Sequence, residues 1–323
     1  MRYEIWCRRV CGAGATFALL VWSVPCHAQA PPTGPNDPAT VDAARLYGDA
    51  CAPCHGLEGD GRGRGARLLG SPQPRDFTVG TFEFRSTPTG SLPTDEDLFR
   101  TISRGVPGTW MPAWEEHLTP AQRWALVSYV KGFAEYFADE EPDPPVPAPE
   151  EPGSTPELVT EGRFVYTVLK CWECHGATGR GDGPKSDELA DDWDRRIRPY
   201  DFTRGSFKNG SSPADLYRTL ATGLTGTPMP AYDRNNVSFP GDLDLESMRE
   251  GLGTGDLGAL ETYLTGQPTG SEIGSLAEAE IGALVEHRLW ALVYYLQSLE
   301  RSRGALYWLF RENPEMEARE KEQ

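Results

Sequence analysis

Two short stretches decide how this chain folds: CAPCH at residues 51–55 and CWECH at residues 171–175. Each places two thiols three positions apart, with a histidine directly after the second thiol. At the end of a helix, such thiols can each form a thioether with a vinyl group of haem, and the histidine is then held beneath the iron. The spacing therefore predicts two covalently bound haem c groups. The residues expected to bind them are Cys51, Cys54, His55, Cys171, Cys174 and His175.

Three other uses of paired cysteines fit this pattern less well. A structural zinc site places its C-x-x-C pairs roughly 15–20 residues apart, whereas Cys51 and Cys171 are 120 positions apart. A thioredoxin-like redox pair needs a βαβ context, and no such pattern surrounds either motif. A disulfide across three positions is strained and rare. Haem attachment is therefore the favoured interpretation.

The two motifs lie in an internal repeat. Four glycines follow each motif at matching positions, and we call them the glycine ladder: Gly56, Gly59, Gly61 and Gly63, and Gly176, Gly179, Gly181 and Gly183. D-F-T then follows at residues 76–78 and 201–203, and G-T-x-M-P-A at residues 108–113 and 226–231. The order is the same in both halves, and the period is near 120 residues. A period of this length indicates a duplicated domain rather than a solenoid.

Capping signals predict an all-α fold. Six positions combine a capping side chain with a following proline or with an acid or amide three residues later. They are Asp37, Thr94, Thr119, Thr155, Ser212 and Ser275. The first helix of each half is expected to run into its C-x-x-C-H motif, and the last helices are expected to end near Tyr136 and Leu299. No stretch alternates for long with period two, so we expect no sheet.

One methionine in each half is the candidate second ligand of iron. Met111 follows His55 by 56 positions, and Met229 follows His175 by 54. A proline after each methionine favours an extended backbone, so the thioether is held in a stiff loop. The alternative role, filling a gap in the core, suits a single methionine better than two at equivalent positions. The predicted metal ligands are His55, Met111, His175 and Met229.

Composition divides the chain into segments. A basic start, a short apolar run and small residues at Ala28 and Ala30 are typical of a cleavable secretory signal. Seven prolines among acidic residues predict an extended linker in the middle of the chain. The expected segments are a signal peptide at 1–30, a first domain at 31–138, a linker at 139–156, a second domain at 157–302 with an insertion at about 233–280, and a tail at 303–323.

Acidic residues outnumber basic ones by 48 to 31, which gives a net charge of −17. Nucleic acid is excluded as a partner on this ground, and a partner with a basic surface is expected. Beyond the signal, no segment is long and apolar enough to span a bilayer. We therefore expect an exported, periplasmic protein with no transmembrane helix in the mature chain.

With these motifs, the sequence resembles class I cytochrome c in a tandem dihaem form, over about 31–137 and 157–300. The resemblance implies a few helices wrapped around each haem, and His/Met ligation that keeps the iron low-spin. It also implies a proline carbonyl against each proximal histidine. Pro184 is the candidate in the second half, whereas Arg64 stands at that place in the first and leaves its acceptor unassigned.

Four further side chains have open roles. Arg75 and Arg198 precede the D-F-T segments, where they would either pair with haem propionates or form surface ion pairs. His117 follows Trp114-Glu115-Glu116 just before a helix, and His287 lies in mid-helix without a counterpart, so solvated or packed structural roles are favoured over ligation for both.

The resemblance implies an electron carrier, or the cytochrome subunit of a respiratory complex, that passes single electrons and is not itself an enzyme. A terminal oxidase, a molybdenum enzyme or a quinol-oxidising complex is the expected partner. The alternative is a dihaem peroxidase, which needs one iron open to peroxide, and two Met-Pro loops leave no obviously open site. A sulfur-oxidising dihaem enzyme with a cysteine ligand is weaker still, because all four mature cysteines belong to the C-x-x-C-H motifs.

Overall fold

A computed structural model describes residues 37–69, 72–237, 245–252 and 257–300. The predicted signal peptide and the C-terminal tail lie outside these described residues. Within them the chain is helical and forms no strand, apart from one isolated bridge between Ala190 and Arg196. The prediction of an all-α fold is confirmed.

The first half contains five of the described helices. Its core forms where α1 packs against α4, around the buried side chains of Tyr47, Leu98 and Leu126. The helices are α1 at Ala43–Ala50, α2 at Ala52–His55, α3 at Asp95–Arg104, α4 at Pro120–Lys131 and α5 at Tyr136–Asp139.

The second half repeats this plan and adds helices between its equivalents of α3 and α4. Its core is built mainly where the first helix of this half packs along the last, around Tyr166, Leu216 and Trp290. The helices are α6 at Pro156–Val168, α7 at Trp172–His175, α8 at Pro213–Thr222, α9 at Arg234–Val237, α10 at Leu245–Leu252, α11 at Leu257–Thr265, α12 at Gly270–Ile273 and α13 at Glu278–Ser298.

Capping side chains start most of these helices where the sequence predicts. Thr94 and Thr119 each form a complete capping box, with Asp97 and Gln122 as the third helical residues. The Ser212 hydroxyl accepts a hydrogen bond from the backbone N–H of Asp215 at 3.2 Å. These side chains satisfy amide groups that a helix start leaves without a partner.

Three helix boundaries differ from the sequence prediction. Asp37 caps only a 3-10 turn, and α1 begins after Asp42, whose carboxylate accepts from the N–H of Arg45 at 3.0 Å. Helix α4 ends at Lys131, five residues before the predicted end at Tyr136. The N–H of Gly132 donates to the carbonyls of Tyr129 and Val130, which closes a tighter last turn there. Helix α13 begins at Glu278 with Ala277 as its capping residue, two residues later than the cap predicted at Ser275. There the Glu280 carboxylate accepts from the N–H of Ala277 at 2.7 Å.

The insertion of the second half is part of that half's core. Val237 and Leu260 are fully buried, and Met248 is 1% exposed. The buried Arg288 of α13 donates to the Val237 carbonyl at 2.7 Å and to the Gln267 side chain at 2.6 Å. A surface addition would not bury its apolar side chains in this way, so the segment is a structural element of the domain.

The two halves are in direct contact. Arg85 of the first half is 1% exposed, and it donates to the Thr222 carbonyl in α8 at 3.0 Å. Thr89 donates to the same carbonyl at 2.8 Å. Arg104 and Asp215 form an ion pair across the same interface at 3.4 Å. These contacts fix the orientation of the two halves relative to each other.

The proline-rich segment between the halves is tied to both of them. The N–H of Val146 donates to the Ser86 carbonyl of the first half at 2.7 Å. On the other side, Tyr294 of α13 donates to the Glu151 carboxylate at 2.8 Å and accepts from the N–H of Gly153 at 3.1 Å. The extended chain is therefore held along the molecule rather than free between two domains.

Candidate functional site

The glycine ladder after each C-x-x-C-H motif folds back over the short helix that carries the motif. In the first half, the N–H of Gly61 donates to the His55 carbonyl at 2.8 Å, and the N–H of Gly63 donates to the Cys54 carbonyl at 3.0 Å. A side chain at Gly63 would collide with the carbonyl of Pro53. The second half makes the equivalent bonds at 2.8 and 3.1 Å. The ladder thus locks the histidine backbone in place.

Each motif histidine donates through its Nδ1 atom to a backbone carbonyl further along the chain. The acceptor is Arg75 for His55 and Tyr200 for His175, at 3.1 Å in both cases. Both acceptors stand directly before D-F-T, so the arrangement is a feature of the repeat. The expectation that Pro184 supplies this carbonyl is wrong. A proton held at Nδ1 leaves Nε2 as the atom free to bind a metal.

The phenylalanine of each D-F-T segment stacks on the histidine of the same half. The ring centroids are 4.4 Å apart for Phe77 and His55, and 4.3 Å apart for Phe202 and His175. Burial lowers the pKa of both histidines, that of His175 to about 4. Each ring is therefore held neutral, which is the form that ligates iron.

The Met-Pro loops are rigid and alike. In the first half, the N–H of Met111 donates to the Thr109 hydroxyl at 3.1 Å, and its carbonyl accepts from the N–H of Val106 at 3.1 Å. The loop lies against the end of α3 at Gly105, where a Cβ atom would sit 2.5 Å from the carbonyl carbon of Pro112. Met229 makes the matching bonds at 3.2 and 3.1 Å.

The motif residues of each half meet at the wall of one cavity. The cavities measure about 190 Å³ in the first half and 280 Å³ in the second. Both thiols, the histidine and the methionine of a half line its cavity. They are Cys51, Cys54, His55 and Met111 in the first, and Cys171, Cys174, His175 and Met229 in the second.

The residues around each cavity fit a covalently attached haem. The four cysteines of the two motifs carry free thiols. The imidazole and the thioether of each half supply the two donor types used at haem iron in electron-transfer cytochromes. Apolar side chains complete the walls, among them Phe82 and Leu98 in the first half and Leu216 and Leu220 in the second. Such a wall suits a flat, mostly apolar macrocycle.

The two cavities share a wall. Six residues line both of them: Pro72, Gln73, Arg75, Glu83, Phe84 and Lys208. Arg75 is central, because it pairs with Glu83 at 2.8 Å and lies over the ring of Trp193, a lining residue of the second cavity. The sequence did not reveal this wall, since it forms only when the halves pack together.

Of the remaining candidates, Arg198 lines the second cavity, whereas the two histidines do not. Arg198 pairs with Asp187 at 3.4 Å, and both side chains are largely exposed. His287 bonds to the Glu161 carboxylate at 2.8 Å. His117 is exposed and packs edge-on to Trp114. Neither histidine lines a cavity.

Comparisons with known proteins agree with this geometry. The family model described as cytochrome c oxidase, cbb3-type, subunit III matches residues 38–130, and the cytochrome c model matches residues 159–265. A solved chain of the Kuenenia stuttgartiensis reducing HAO-like protein complex is 37% identical, with a TM-score of 0.62. The match covers 80% of this chain and 96% of that chain. None of the curated proteins compared matches this chain.

The chain belongs to the cytochrome c family and carries two cytochrome c domains in tandem. Each domain binds one haem c covalently, and the class functions in electron transfer. Among the described helices, none is long and apolar enough to cross a bilayer.

Proposed function

We propose that this protein is a periplasmic electron carrier that passes single electrons between redox partners through two His/Met-ligated haems and catalyses no reaction of its own. The observation that carries the proposal is that each cavity is lined by one histidine and one methionine of its own repeat. One histidine and one methionine would together hold each haem iron and leave no position for substrate.

In this proposal each side chain has one role. Cys51 and Cys54 hold the first haem, and the equivalent cysteines hold the second. His55 and Met111 bind the first iron. When bound, the haem supplies a metal that gains and loses one electron. The backbone carbonyls of Arg75 and Tyr200 keep the Nδ1 proton of each histidine in place, which orients the ring and tunes the ligand.

The shared wall supports electron exchange between the two haems within one molecule. Because the same residues line both cavities, the haems would be separated by a single layer of protein. An electron accepted at one domain would then reach the other without leaving the chain. This arrangement suits a carrier that connects two different partners.

A partner class is suggested by the similar chain from the reducing HAO-like protein complex. We propose that this protein serves an HAO-like redox enzyme as its electron-transfer subunit. The export pattern in residues 1–30 supports a periplasmic site for this exchange.

Ligand replacement tests the function directly. Ferric haem with a methionine ligand shows a weak near-infrared sulfur-to-iron charge-transfer band, so the wild-type protein should show it for two low-spin haems. Met111→Ala and Met229→Ala should each remove the signal of one haem and open that iron to carbon monoxide. Met248→Leu changes a buried methionine that lies outside both cavities, and it should leave both bands intact.

One outcome would replace the proposed function. A wild-type protein with one high-spin haem and rapid turnover of peroxide would be a dihaem peroxidase, because that reaction requires an open iron.

A further inference from the structure

One exposed surface of the first domain has a charge opposite to that of the protein as a whole. Between residues 61 and 68 the chain alternates in burial: Gly61, Gly63 and Ala66 are buried, whereas Arg62, Arg64 and Arg67 are exposed. The small residues fit against the C-x-x-C-H helix, so the three guanidinium groups all point to solvent. We call Arg62, Arg64 and Arg67, together with Leu57 and Leu68, the arginine face.

Two large apolar side chains accompany the arginines. Leu57 is 73% exposed and Leu68 is 86% exposed. A single exposed leucine needs no explanation. Two of them in the same short segment as three exposed arginines form the mixture that protein interfaces use, in which apolar contacts give affinity and charges guide the encounter.

The arginine face lies beside the first haem cavity. A Cβ atom at Gly65 would be 3.6 Å from the Cys54 Sγ atom, the thiol expected to hold the haem. Leu69, the next residue after the face, lines the cavity itself. A protein bound to this face would therefore be close to the haem edge, which a fast one-electron transfer requires.

The second domain shows that the fold does not need these arginines. Its backbone makes the same bonds over the matching segment, from Gly181 to His175 and from Gly183 to Cys174. The side chains there are different in charge. Ala177, Asp182, Pro184, Asp187 and Glu188 stand where the first domain has Leu57, Arg62, Arg64, Arg67 and Leu68.

The charged side chains of the two matching segments also differ in whether they form ion pairs. In the second domain, Asp187 is paired with Arg196 at 2.7 Å and with Arg198 at 3.4 Å. Within the described residues, Arg62, Arg64 and Arg67 form no ion pair, although the Asp60 carboxylate accepts from the backbone N–H of Arg62 at 3.0 Å. With Glu58 and Asp60 counted, residues 57–68 hold three basic and two acidic side chains and have a formal charge of +1, whereas the matching residues 177–188 hold two basic and three acidic side chains and have a formal charge of −1. The segment of the first domain is therefore positive in a protein that is negative as a whole.

We propose that the arginine face is the docking surface for an acidic redox protein, and that this partner exchanges electrons with the first haem. The proposal rests on the electron-carrier function. With a net charge of −17, the rest of the molecule repels such a partner. The attraction then acts at a surface next to the first haem, which orients the complex.

The sign of the salt dependence tests this proposal. The probe is plastocyanin with an acidic patch, in its copper(II) form, which takes one electron from the ferrous holoprotein in a stopped-flow experiment. If net charge decides the encounter, added salt should raise the rate because it screens repulsion. If the arginine face decides it, added salt should lower the rate.

Variants locate the effect. Arg62→Gln, Arg64→Gln and Arg67→Gln together should lower the rate at low salt by about tenfold. The control changes net charge equally at exposed arginines elsewhere, with Arg45→Gln, Arg180→Gln and Arg234→Gln, and should stay within about twofold of the wild type. Arg62→Asp, Arg67→Asp and Leu68→Glu, which copy the second domain, should reverse the sign of the salt dependence.

The outcomes separate the docking surface from the function itself. A wild-type rate that rises with salt, or equal losses in the test and control variants, would overturn the docking surface. Electron transfer to an uncharged quinone is measured on the same samples. Because a small uncharged acceptor does not depend on the arginine face, its reduction tests the electron-carrier function separately from the docking surface. If the wild-type protein reduces neither the quinone nor plastocyanin, the electron-carrier function fails as well.

Discussion

The guanidinium carbon of Arg75 lies 4.8 Å from the centre of the Trp193 ring, so one side chain of the first domain covers an aromatic ring of the second. The carbonyl of the same residue accepts the Nδ1 proton of His55 at 3.1 Å. Arg75 therefore connects the histidine of one haem site to the wall of the other. Its ion pair with Glu83, which lines both cavities, holds the guanidinium in this position.

Replacing the aromatic partner should weaken the contact between the domains. Trp193→Ala removes a cation–π contact worth about 0.5–2 kcal/mol, and the free energy of unfolding should fall by that amount. Trp193→Phe keeps an aromatic ring and should lose less. Denaturant titration of the holoprotein measures both. Equal stability of the alanine variant and the wild type would show that the contact contributes nothing to domain packing.

The glycine at the end of α3 should control the position of the methionine loop. Gly105 has a φ of +64°, and an added Cβ atom would sit 2.5 Å from the Pro112 carbonyl carbon and 2.6 Å from the Met111 carbonyl oxygen. Gly105→Ala should therefore displace Met111 and diminish the near-infrared band of one haem. The positive φ should also strain the backbone and lower the free energy of unfolding by about 1–2 kcal/mol.

Gly108 provides the matched control for this variant. Its φ is +75°, but nothing lies within 4 Å of an added Cβ atom. Gly108→Ala should show the backbone strain in a denaturant titration while keeping the full near-infrared band. If both variants keep the band, the close approach of the loop to α3 does not set the position of Met111.

Local signals were sufficient to predict much of the fold. Capping residues such as Thr94 and Thr119 act on amides within three residues, so their effect is visible in the sequence. The hydrogen-bond acceptors of the motif histidines were not predictable in this way. The acceptor atoms belong to the backbone of Arg75 and Tyr200, and a carbonyl group is common to every residue. The repeated position before D-F-T was the only available signal.

Contacts between residues far apart in the sequence account for the features of the structure that the sequence did not predict. The insertion follows the Met229 loop in sequence, and its Asn236 side chain donates to the Ala231 carbonyl of that loop at 2.7 Å. Its helix α10 also reaches the C-x-x-C-H side, where Gly251 lies against the ring of Trp172. The shared wall is likewise invisible in either repeat alone. Both depend on how separate helices pack, which hydrophobic pattern does not specify.

This packing predicts a specific effect of the insertion on the second haem. A Cβ atom at Gly251 would collide with the indole ring of Trp172, which is 5% exposed and adjacent to Cys171. Gly251→Ala should therefore shift Trp172, lower stability by about 1–3 kcal/mol and perturb the absorption spectrum of one haem. At Gly266 an added Cβ atom makes only ordinary contacts, from 3.4 Å. Gly266→Ala should leave the spectrum unchanged, and equal spectra for the two variants would contradict this account.

Loss of both thiols of one motif should affect one haem and leave the other. Cys54 and Cys174 line different cavities, and the two cavities share no thiol. Cys51→Ala together with Cys54→Ala removes both thioethers expected for the first haem, so this haem should no longer be retained covalently under denaturing conditions. Cys171→Ala together with Cys174→Ala should do the same to the second haem. Intact mass measurement on the purified proteins should show two covalent haems in the wild type and one in each double variant. Loss of both haems from one double substitution would mean that the two domains do not mature independently, and retention of both would place haem attachment elsewhere in the chain.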